Sequence, residues 1–121
     1  MTRSYLFVVP LALSLSSAYA ADQGDGSSYW VSQCKAFLER KIINSADDPD
    51  ICVGIVVGIG YMLANWSTED AICADIPKQV TYGQMVRAVV RHIEQRPQSM
   101  HEDFRQEAMF ALIRAWPCKS R

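Results

Sequence analysis

Catalytic chemistry has little to work with in this chain. Its 121 residues include only two histidines, His92 and His101, and four cysteines, none of them in a Cys-x-x-Cys pair and none spaced near a histidine as zinc ligands would be. No glycine-rich phosphate loop, internal repeat or low-complexity tract is present. Charge of one sign is lacking too: 12 Lys and Arg stand against 13 Asp and Glu, which excludes a nucleic-acid binder acting through a basic surface. With no nucleophile and base in a recognisable pattern, no metal site and no cofactor motif, the residues describe a binding protein rather than an enzyme and do not name its partner.

What is present first concerns compartment. Arg3, an apolar stretch from Tyr5 to about Leu15, and Ala18-Tyr19-Ala20 have the order of a signal peptide over residues 1–20, cut after Ala20. The apolar run is shorter than the ~20 residues of a membrane span and Pro10 interrupts it, so no membrane association is expected after cleavage. Residues 21–27 read as a loose leader, and residues 28–121 as a single domain, too short for two cores. Its first half is acid-rich and its second half base-rich.

Export fixes how the cysteines are read, because an oxidising compartment favours disulfides. Cys34, Cys52, Cys73 and Cys118 permit three pairings.

The helical periodicity is strong. Ser27 or Ser28 caps a first helix running to about Asn44, with Trp30, Val31, Cys34, Phe37, Leu38 and Ile42 on its apolar face. Asp48 and Pro49 open a second helix to about Trp66, uncharged from Ile51 to Ala64, and therefore expected to be surrounded by other helices. Gly54 and Gly58 share a face there, which implies the close approach of another backbone; a strand over Ile55–Ile59 is the alternative. After a connection holding Cys73 and Pro77, Thr81 and Gln84 form a capping box for a third helix that ends before Pro97. Ser99 and Glu102 repeat that pattern for a fourth, stopped by Pro117. The aromatic residues, Tyr61 included, are assigned mainly to the core, with Trp66 and Tyr82 at loops where exposure is as well supported.

The fold class expected is all-α, a small four-helix domain with two intramolecular disulfides. The third and fourth helices, joined by a short loop, are antiparallel neighbours, which brings Cys73 beside Cys118 and leaves Cys34 for Cys52. Loop residues Gln95, Arg96, Gln98, Met100 and His101 are the candidate partner contacts, since binding groups ride on loops held by a rigid scaffold. His92 and His101 are expected at the surface, within range of carboxylates such as Glu94, Glu102 and Asp103.

Several elements together match a known pattern: Cys52-Val53-Gly54 opening a glycine-bearing apolar helix, a Cys followed by Pro and the Thr81-x-x-Gln84 start, then Pro97, His101 and Ala111-Leu112…Ala115-Trp116-Pro117-Cys118. The chain resembles the Rap/Tai family of type VI secretion amidase immunity proteins, over about Cys34 to Cys118. It departs from the family pattern at Ile55, where Tyr is usual, and at Tyr61-Met62, where a polar residue is common. The resemblance implies a helical, disulfide-bonded periplasmic protein, often a homodimer, that blocks the Cys-His groove of a cognate peptidoglycan amidase effector, with no cofactor. On the residues alone, a periplasmic helical chaperone or stress protein, an inhibitor of an unrelated target, and a hydrolase or lipid carrier remain the competing classes.

Overall fold

A computed structural model describes residues 26–40, 49–66 and 72–119. The expected signal peptide, the expected leader as far as residue 25 and the expected continuation of the first helix beyond residue 40 lie outside the described residues. Within them are four α-helices, α1 (Ser27–Glu39), α2 (Pro49–Trp66), α3 (Tyr82–Glu94) and α4 (Phe104–Ala115), with a 3-10 turn (Pro97–His101) between the last two. The all-α expectation holds, and Ile55–Ile59 is helix rather than strand.

Both disulfides are those expected. Cys34 and Cys52 bridge α1 to α2 with Cα atoms 5.3 Å apart, and Cys73 and Cys118 close the chain with Cα atoms 5.7 Å apart. Beside the second bridge, Ala74 pairs with Pro117 and the Asp75 amide donates to the Trp116 carbonyl at 2.9 Å, so the residues leading into α3 lie along those leaving α4. That is the antiparallel arrangement that short connections favour.

Local chemistry explains the helix ends. Thr81 Oγ1 accepts from the Gln84 amide at 3.2 Å while Gln84 Oε1 accepts from the Thr81 amide at 2.8 Å, a complete capping box at the start of α3. The box expected at Ser99 is not formed. Ser99 is buried in the 3-10 turn, and α4 is instead capped by Asp103, whose carboxylate accepts from the Arg105 amide at 2.8 Å and the Gln106 amide at 3.4 Å. A carboxylate suits that position because it also meets the positive end of the helix dipole. At α1, Gly26 is the cap and Ser27 is the first helical residue, its hydroxyl engaged elsewhere. This helix stops at Glu39 because Arg40 turns left-handed (φ 52°), and its amide reaches back to the Ala36 and Phe37 carbonyls.

The core gathers Cys34, Cys52, Val56, Val86, Val89, Ile93, Phe104, Ala108 and Leu112, with Trp30 stacked on Phe104 at a ring separation of 5.8 Å. The expectation for α2 is corrected. Among the residues of α2 only Cys52, Val56, Gly60 and Leu63 are buried, a single stripe facing α1, α3 and α4. Gly54 and Gly58 face open space, and the close approach falls at Gly60 instead. By length and composition α2 meets the minimum for a membrane span, but it contributes this stripe to the core and is tied to α1 through Cys52. Tyr61 is exposed, contrary to its core assignment, and so are Trp66 and Tyr82.

Candidate partner-binding surface

Two surfaces stand out, and the first is the connection between α3 and α4. Arg96 begins the 3-10 turn, Pro97 occupies its first position, the Ser99 amide donates to the Arg96 carbonyl at 2.8 Å and the Glu102 amide to the Ser99 carbonyl at 3.2 Å. From across the domain, the Ser27 amide and hydroxyl both donate to the Glu102 carbonyl, at 3.0 and 2.9 Å, and Gly26 pairs with Asp103. The turn is therefore clamped from across the domain at its C-terminal end. Of the expected contact residues, Gln95, Gln98 and His101 project into solvent and Arg96 is half-buried. Met100, expected to be exposed, packs against the core, since a flexible thioether fills the space beneath the turn.

The second surface was not legible as a site in the sequence. Between α2 and α4 lies a largely apolar groove of about 580 Å³ lined by Ile59, Met62, Leu63 and Trp66 of α2, by Ile72, and by Asp103, Arg105, Gln106 and Met109. Trp66 is 70% exposed and Met62 53%, large apolar groups left in water at the mouth of a concavity. In its wall Arg105 Nη2 lies 2.6 Å from Asp103 Oδ2, and this bond, ahead of the backbone amides, holds the Asp103 carboxyl below the usual carboxylate range. The signal for the groove was the uncharged length of α2, which is read equally well as a core helix.

His92 is buried rather than at the surface, and its Nε2 lies 3.3 Å from Oε2 of Glu107, a partner the sequence did not single out. Burial holds the imidazole below its ordinary pKa; the Glu107 charge opposes this, and Arg96 and Arg114 reinforce it. Both side chains of the pair are buried, and all four cysteines are in disulfides. Glu94 is engaged elsewhere, by Lys35 Nζ at 2.7 Å. Among the described residues, no three His, Cys, Asp or Glu side chains gather in a way that could hold a metal ion.

The sequence model of a family described as Rap1a immunity proteins matches residues 17–118, ending on the last cysteine. No curated protein and no solved structure matches the chain.

Proposed function

The chain belongs to the Rap1a immunity protein family, and from that premise we propose that it is a periplasmic inhibitor of a peptidoglycan amidase delivered by type VI secretion. In this reading the chain is exported through residues 1–20, cut after Ala20, and oxidised at its four cysteines. The observation that carries it is the clamped 3-10 turn, a short projecting segment held by Ser27 and Gly26 on a doubly stapled scaffold. A rigid projection enters a catalytic groove at little entropic cost, and bulk alone then excludes substrate. Gln95, Arg96, Gln98 and His101 supply its polar contacts, and Met100 supports it from below.

The exposed Trp66 and Met62 favour a second contact surface, the α2–α4 groove, because aromatic and methionine side chains are enriched at the centres of interfaces. Export of the protein together with a candidate type VI amidase effector tests the function. Producer cells keep an intact wall; lysis as rapid as with the amidase alone refutes the proposal.

A further inference from the structure

We propose that the His92–Glu107 contact is a proton-sensitive lock: protonation of the buried imidazole in mild acid loosens the α3–α4 seam and frees the 3-10 turn that spans its end. His92 sits in the last turn of α3 and Glu107 in the first turn of α4, so the contact lies at the end of the helical pair that the turn closes. Both side chains are more than nine-tenths buried. His92 Nε2 and Glu107 Oε2 lie 3.3 Å apart, a contact that falls short of a well-aligned hydrogen bond, and neither atom has another partner among the described residues.

The surroundings do not welcome a new positive charge. From α4 the imidazole meets Glu107 and Arg114, and from the end of its own helix Arg96. The charged groups of α1 are Lys35, Glu39 and Arg40, of which Lys35 is held by Glu94. The 3-10 turn adds only His101, and α2 only Asp50. One carboxylate thus faces two guanidinium groups and a desolvated ring. Among the described residues Ser99 Oγ, in the turn itself, is also buried without a hydrogen-bond partner, so the turn has little margin to lose more.

Burial that favours the neutral ring sets the direction of the response. As pH falls past the ordinary histidine value of about 6.5, open forms take up the proton before the closed form, and stability present above that value is lost below it. Any consequence for a partner rests on the 3-10 turn being a contact segment; the proton response does not.

The test is an NMR titration of the oxidised protein from pH 8 to 5, with amide exchange followed alongside. The His92 ring resonances titrate below about 6.5, and exchange at Ser99–Glu102, corrected for intrinsic rate, rises severalfold toward pH 5 while the core of α3 changes less. In His92→Gln, which keeps a neutral polar group near Nε2, the acid-dependent rise disappears. A His92 titration at or above the ordinary value, exchange at 99–102 that is flat with pH, or an unchanged acid response in His92→Gln overturns the lock. Should the variant not fold, the two wild-type readings decide.

Discussion

Gly60 of α2 lies directly against the methyl end of Met85 in α3. A Cβ placed at Gly60 would overlap Met85 Cε and come within 3.3 Å of Ile76 Cδ1 and 3.7 Å of Leu112 Cδ1, whereas one at Gly54 or Gly58 would meet nothing within 4 Å. The three glycines of α2 therefore separate by experiment. Gly54→Ala and Gly58→Ala each raise stability by about 0.5–1 kcal/mol through helix propensity, and Gly60→Val lowers it by roughly 1–3 kcal/mol through overpacking, as read by urea denaturation.

The two staples contribute unequally. They close loops with sequence separations of 18 and 45, for which chain entropy gives about 3 and 4 kcal/mol. Paired Cys→Ser replacement at Cys34 and Cys52 should cost less than the same change at Cys73 and Cys118, measured in non-reducing urea melts.

The capping box of α3 is a local device with a local cost. Thr81→Ala removes the acceptor for the Gln84 amide and should lower stability by about 1 kcal/mol, with the helical CD signal of the native state unchanged.

Asp103 makes an acid response distinct from that of His92. Arg105 and the amides that open α4 hold its carboxyl below the usual value, so this contribution is present above about pH 4 and is lost as pH falls through the lowered value. The side chain is 37% exposed, which weakens the ion pair by solvent screening and leaves the cap as the main part. Asp103→Asn keeps a capping acceptor and should flatten the stability profile below pH 4.

On the proposed interface, Gln98→Ala combined with His101→Ala leaves the fold intact, because both are exposed, and weakens partner binding by about tenfold or more. Trp66→Ala tests the groove in the same titration; if it alone weakens binding, the α2–α4 groove is the contact surface.

Much of the fold was legible because local and global signals agreed. Pro49, the Thr81–Gln84 box and Pro117 mark helix ends through backbone chemistry that any context preserves. Placement of Cys73 before α3 and of Cys118 after α4 was enough to pair them. What was not legible depended on which side of a helix meets its neighbours. An uncharged α2 looks the same whether wrapped or half-exposed, so Tyr61, Gly54 and Gly58 were assigned to packing they do not have. The cap of α4 was expected at Ser99 and falls at Asp103, four residues later, where Ser27 holds the neighbouring Glu102 carbonyl. Of the contact segment, Gln95, Gln98 and His101 lie in solvent, while Met100 turned inward and His92 found Glu107 in the core, contacts between α3 and α4 that spacing along one helix does not encode.

The central claim is that this stapled scaffold stops a cell-wall amidase by occupying its groove. The most direct measurement is hydrolysis of purified peptidoglycan by a type VI amidase effector offered as the target, titrated with the folded, oxidised protein. Product release should fall linearly to the blank at a stoichiometric end point; undiminished hydrolysis in the presence of excess protein would contradict the account.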